Sequence, residues 1–211
     1  MRAALFTAML GLSATMAFAA EPEANVKAFL DTHIAPWAQD PAILSAVAKQ
    51  NAQTAGYDAA TIEEMDQKWR AEVGTGASEL VDGVLMNPAS DLLRSRVEGS
   101  GGMMTEVIVM DALGLNVAAS QATSDYWQGD EDKYQQTYSV GPRAVHVSEI
   151  EFDESSQTYQ VQISITLNDP ATGAPIGAMT VGIDAEALLY APVIRTNSAC
   201  SRSSWRVDAP E

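Results

Sequence analysis

The chain has 211 residues and a formal net charge of −16, from 28 acidic and 12 basic side chains. An acid excess of this size repels nucleic acid and anionic membrane surfaces, so neither is expected as a partner. The single cysteine, Cys200, excludes an internal disulfide framework.

The first segment, "MRAALFTAMLGLSATMAFAA", carries Arg2, an apolar run and then Ala17-Phe18-Ala19. That order predicts a secretory signal peptide over 1–19, cleaved after Ala19, and hence a periplasmic or secreted protein. Beyond it no apolar run reaches the roughly 18 to 20 residues that span a bilayer, so no insertion is expected after cleavage. Residues 20–194 suffice for one domain with its own core. The Ser-rich stretch 195–211 has no pattern and is expected to be a disordered tail.

The first half reads as helices. Val26, Phe29, Leu30, His33 and Trp37 fall on one helical face, punctuated by Pro36 and Pro41. A second helix runs on from Pro41, with Ile43, Leu44, Val47 and Asn51 on one face. Thr61 and Glu64 predict a capping box for a third, which carries Ile62, Met65, Trp69 and Val73 on one stripe. "VGTGAS" then breaks the chain. "NPASDLLRSRVEG" predicts another helix, with Asn87 as cap and Pro88 at its first position.

The second half alternates with period two. "TEVIVMD" and "NVAAS" predict a hairpin from Thr105 to Ser120, turning at Gly114 with positive φ. "DEDKYQQTYSV" reads as a helix with acids in its first turn. "RAVHVSEIEF", "TYQVQISITL" and "APIGAMTVGID" read as three strands of an antiparallel meander. Asp184 then caps a last short helix, "AEALLY". The expected fold class is α+β: a five-stranded antiparallel sheet with a helical N-terminal half packed on it.

Three segments carry a family resemblance: the hairpin "VIVMDALGLNVAAS", the loop and helix "SDYWQGDEDKYQQTY", and the closing "NDPATGAPIGAMTVGID". In order and spacing they resemble the Cache domains, PAS-like sensor domains found outside the cytoplasm. The similarity extends over about Pro41 to Asp184, with "AVAKQNAQTAG" resembling the family's N-terminal helix. What it implies is a sensor with a small molecule held on one side of a PAS-like sheet, and no catalysis. Asp125, Tyr126 and Trp127 match the family's ligand-contacting loop. Arg143 and His146 on the next strand, and Asp184 at the end of the last, are further ligand candidates by position. Many Cache domains are flanked by membrane helices and feed a kinase or chemoreceptor. Neither segment is legible here, so a membrane-bound signalling protein is the expected partner.

Each candidate has a structural alternative. Tyr126 and Trp127 could stack on a planar ligand or box a cation, or could plug the core beneath the loop. As neighbours in an extended loop they are expected to point to opposite sides. Arg143 could clamp a carboxylate or pair with a surface acid. His146, read as sharing a strand face with Ile150 and Phe152, could contact ligand or be a satisfied core residue. A cavity bordered by Trp127 and the polar faces of the last strands would mark a sensor. The acids at Asp125 and Asp130–Asp132 do not match the calcium-loop spacing, and no metal or cofactor is expected. No G-x-S-x-G, H-E-x-x-H, complete G-x-G-x-x-G or P-loop is present, so no enzyme is expected. The ligand class is a small organic molecule: an amino acid, organic acid or amine. The competing readings are an interaction protein with a filled pocket and an exported carboxylate-based hydrolase.

Overall fold

The computed structural model describes residues 26–153 and 158–190. The expected signal peptide, the tail with Cys200 and the turn at 154–157 lie outside the described residues. Helix α1 spans Pro41–Thr54, α2 Ala59–Glu72, α3 Glu79–Leu85 and α4 Pro88–Gly99. Strands β1 (Met104–Met110) and β2 (Asn116–Ala119) follow, then the one-turn helix α5 (Asp132–Gln135). The chain closes with β3 (Val145–Val147), β4 (Glu151–Asp153), β5 (Thr158–Asn168), β6 (Pro175–Asp184) and α6 (Ala185–Tyr190).

The strands form one antiparallel sheet in the order β2-β1-β6-β5-β3, with β4 also pairing β5. The sheet has six strands where the sequence predicts five, because the expected third strand is broken after Val147. Its two pieces both pair β5: Val145–Val147 opposite Ile165–Ile163, and Glu151–Asp153 opposite Gln160–Thr158. The break changes the faces. Phe152 lies opposite Tyr159, whereas His146 lies opposite Ser164, so His146 does not share a face with Phe152 as expected.

Alternation on β5 divides the sheet into an apolar and a polar side. Val161, Ile163, Ile165 and Leu167 enter the main core with Val107, Val109, Met179, Val181 and Ile183. The helical layer supplies Phe29, Ile34, Trp37, Ile43, Val47 and Leu93 to the same core. Burying side chains of this size, at about 25 cal/mol per Å² of apolar surface, holds the two layers together. The opposite face carries Gln160, Gln162, Ser164 and Thr166, and Tyr134 and Tyr138 cover part of it over Ile108, Met110 and Ala178.

Departures from the predicted helices have local causes. Before α1 the chain makes a wide turn at Leu30–Ile34, closed by Ala35 N–H on Leu30 O. The extra residue per turn rotates Ile34 into the core and leaves His33 half-buried beside Phe29. Helix α2 starts a turn earlier than the capping box implies, because Asp58 Oδ1 accepts the Thr61 amide at 2.9 Å. Helix α3 is an element the sequence reading did not contain. Ser78 Oγ caps it through the Val81 amide, after a linker whose glycines read as a break. Asn87 caps α4 and Pro88 opens it as predicted. The expected helix "DEDKYQQTYSV" shrinks to the one turn Asp132–Gln135, without a side-chain cap.

Candidate functional site

The loop from Gln121 to Asp130 leaves β2 and lies across one end of the sheet. Asn116, buried on β2, fixes its start: Nδ2 donates to Thr123 Oγ1 at 2.8 Å and to the Asp125 carbonyl at 2.9 Å. Helix α2 fixes its middle. Asp66, buried, accepts the amides of Tyr126 and Trp127 on Oδ1 at 2.8 and 3.0 Å. Its Oδ2 takes Arg70 Nε at 2.8 Å, and this pairing holds the guanidinium above its ordinary pKa. Arg70 also reaches Asp125 Oδ2 at 3.6 Å. The turn of the hairpin backs onto the loop: Gly114 has φ of 80°, and a side chain there would meet Gly129 Cα at 2.6 Å.

Between this loop and the polar face of the sheet lies a cleft of ≈ 330 Å³. Glu106 of β1 and Gln162 of β5 form part of its floor; Thr123, Asp125, Gln128 and Lys133 form part of its rim. Glu106 Oε1 accepts from Gln160 Nε2 at 3.3 Å and Gln162 Nε2 at 3.2 Å, which fixes a carboxylate on the sheet surface. Gln128 Nε2 donates to Asp125 Oδ1 at 2.5 Å, and its Oε1 accepts from Lys133 Nζ at 3.1 Å. Lys133 also pairs with Glu131 Oε2 at 3.0 Å. The cleft thus gathers the carboxylates of Glu106, Asp125 and Glu131, one ammonium and several amide groups, all held by hydrogen bonds. Such a set can bind a small polar molecule bearing an amine, with the amides left to orient its other polar groups.

Of the residues expected to hold a ligand, Asp125 lines this cleft and the others stand elsewhere. Neither Tyr126 nor Trp127 lines the cleft: Tyr126 is buried in a satellite core with Trp69, Val81, Val84 and Leu115, and the half-buried Trp127 packs against that core. Tyr126 stacks on Trp69 at 5.6 Å, and burial pushes its hydroxyl pKa upward. Trp127 Nε1 donates to the Leu113 carbonyl at 2.9 Å. Backbone bonds hold the segment against the hairpin as Asp66 holds its amides: Asn116 N–H donates to Tyr126 O at 3.0 Å and Gln128 N–H to Gly114 O at 2.8 Å. Arg143 sits exposed in a left-handed conformation (φ 63°) ahead of β3 and lines no part of the cleft. His146 lies on the polar face opposite Ser164, outside the cleft lining. Asp184 caps α6 through the Ala187 amide at 2.7 Å and accepts Thr158 Oγ1 at 2.7 Å. Those bonds, the amide first, hold its carboxyl below the usual range.

Residues the sequence reading missed are Glu106, Gln162, Gln128 and Lys133. Glu106 had a signal: it is the one charged residue of the strand "MTEVIVM". The polar alternation of β5 was visible too, but its pairing with the loop was not. Among the described residues no three His, Cys, Asp or Glu side chains converge as a metal site would require. No described helix is long and apolar enough to cross a membrane.

No family model matches the chain, and no curated protein does. Several solved structures are similar to it. One is the sensor domain of the histidine kinase DctB from V. cholerae, at 14% identity, 79% of this chain and 53% of that one covered, and TM-score 0.45. Another is the ligand-binding domain of the Campylobacter jejuni chemoreceptor Tlp3 in complex with 4-methylisoleucine, at 16% identity, 74% and 65% covered, and TM-score 0.39. A third is that of the Pseudomonas fluorescens chemoreceptor CtaA in complex with L-serine, at 15% identity, 60% and 59% covered, and TM-score 0.37. The chain spans about half the length of the DctB structure. The antiparallel sheet with helices packed on its apolar face is the α+β layout that the sequence predicts.

Proposed function

We propose that this protein binds a small amine-bearing molecule, an amino acid or amine, in the cleft beneath the 121–130 loop. It would act outside the cytoplasm and report occupancy to a membrane-bound signalling protein. The observation that carries the reading is the convergence of fixed polar groups on one small cleft. Glu106, Asp125 and Glu131 outnumber Lys133, so the cleft favours a cationic or zwitterionic ligand over a simple anion. The bonds that pre-position Asp125 and Gln128 reduce the ordering cost of binding.

A thermal-shift screen of amino acids, amines and organic acids on the full chain tests this. A binding compound raises the unfolding midpoint, because only the folded state holds it. The shift is expected to shrink at fixed concentration in Asp125→Asn and in Gln162→Ala. If no compound moves the midpoint, or both variants keep the wild-type shift, the cleft is not the binding site.

A further inference from the structure

A hollow of ≈ 500 Å³ opens between the wide turn at Leu30–Ile34 and the end of α4. It shares no lining residue with the cleft beneath the 121–130 loop. Phe29, Trp37, Met103 and Met104 give it apolar walls. No acid lines it, in a chain whose acids outnumber its bases 28 to 12. Arg96, exposed on the last turn of α4, holds its guanidinium over the Trp37 ring, 5.4 Å from the centroid. Arg94 pairs with Asp91 and Arg70 with Asp66, but among the described residues no carboxylate pairs with Arg96. Trp37 is also exceptional. The indole N–H groups of Trp69 and Trp127 donate to the carbonyls of Thr123 and Leu113. Among the described residues no acceptor takes that of Trp37, although the ring is buried and a buried indole usually finds one. Both unpaired donors belong to this one hollow.

We propose that this hollow is a binding site, separate from the cleft, for a small monocarboxylate with a compact apolar body. The carboxylate pairs with Arg96 and accepts the Trp37 N–H; the body lies against Phe29, Met103 and Met104. A guanidinium stacked on a ring keeps its N–H edges for an acceptor, and a carboxylate can take two of them at once. Indole nitrogen only donates, so the second unpaired group asks for the same chemistry. His33, its ring centroid 4.8 Å from that of Phe29, brings a further polar group to the lining. The methionines adapt to the shape of an apolar body. One guanidinium balances one negative charge, so a phosphate dianion is disfavoured in a chain of net charge −16. The carbonyl end of α4 lies close by and opposes an anion. That end is blunted, because Ser100 N–H and Oγ both donate to Val97 O, at 3.1 and 2.7 Å, and Arg96 itself stands in the last turn.

Calorimetric titration of the full chain with phenylacetate, phenylacetamide and acetate reads the outcome. Phenylacetate is expected to bind saturably. Phenylacetamide, with the same body and no charge, should bind about tenfold or more weakly, since a hydrogen bond to a charged partner is lost. Acetate, which has the charge without the body, should give no measurable binding. Arg96→Gln should weaken phenylacetate about tenfold or more. In NMR spectra, phenylacetate should move the indole N–H resonance of Trp37, identified by its loss in Trp37→Phe. The isostere comparison and this resonance are read on the wild type, so neither depends on how a variant folds. The proposal is overturned if phenylacetate does not bind saturably, or if phenylacetamide or acetate binds as tightly. An unmoved Trp37 resonance, or wild-type affinity in folded Arg96→Gln, overturns it as well.

Discussion

Asp66 shows how one buried side chain can set a site it does not touch. Its carboxylate spends one oxygen on the Tyr126 and Trp127 amides and the other on Arg70, which in turn reaches Asp125 at the cleft rim. Truncating it leaves two loop amides without their acceptor, and each unsatisfied buried donor costs about 1–3 kcal/mol. Asp66→Ala is therefore expected to lower stability by about 2–4 kcal/mol in urea unfolding. It should also shift Trp127 emission in the folded state, because the ring follows its backbone. An unchanged denaturation midpoint would mean that the loop holds its place through ring packing alone.

At the level of elements, capping carboxylates fix where segments begin. Asp58 starts α2, Asp184 starts α6, and Asp169 closes the β5–β6 turn by accepting the Ala171 and Thr172 amides at 2.8 Å. In each, hydrogen bonds to the charged form hold the carboxyl below its ordinary value, the largest being from the amides of Thr61, Ala187 and Thr172. A depressed folded pKa means that the unfolded chain takes up the proton first. The stabilisation is thus fully present above the unfolded value of about 4 and is lost as pH falls through the folded values. Denaturant midpoints are expected to decline below about pH 4, and Asp184→Asn should flatten part of that decline. A variant curve parallel to the wild type would remove Asp184 from this account.

Over the whole molecule, the net charge of −16 makes the folded state repel itself. Raising ionic strength from about 0.01 M to 0.15 M shortens the screening length from about 30 to 8 Å. The thermal midpoint should rise over that range at pH 7, and a falling midpoint would mean that favourable surface pairs such as Arg70–Asp125 dominate instead. The charge, the helical first half, the period-two strands and the caps at Asn87 and Asp184 were determined by the sequence itself. Each is a local property, written in spacing and side-chain chemistry along a few residues. The tertiary structure alone decided which polar groups meet. Asp66 and Asp125 are far apart in the chain, and nothing local says that a helix carboxylate will take the loop amides or that Tyr126 will stack on Trp69 in a satellite core. Glu106 faces Gln160 and Gln162 only because β6 lies between β1 and β5, an order set by burial of the common apolar face. The same long-range pairing broke the expected third strand. It left His146 on the polar face and Val145 and Val147 on an open edge, because a strand's two faces have meaning only once its neighbour is chosen.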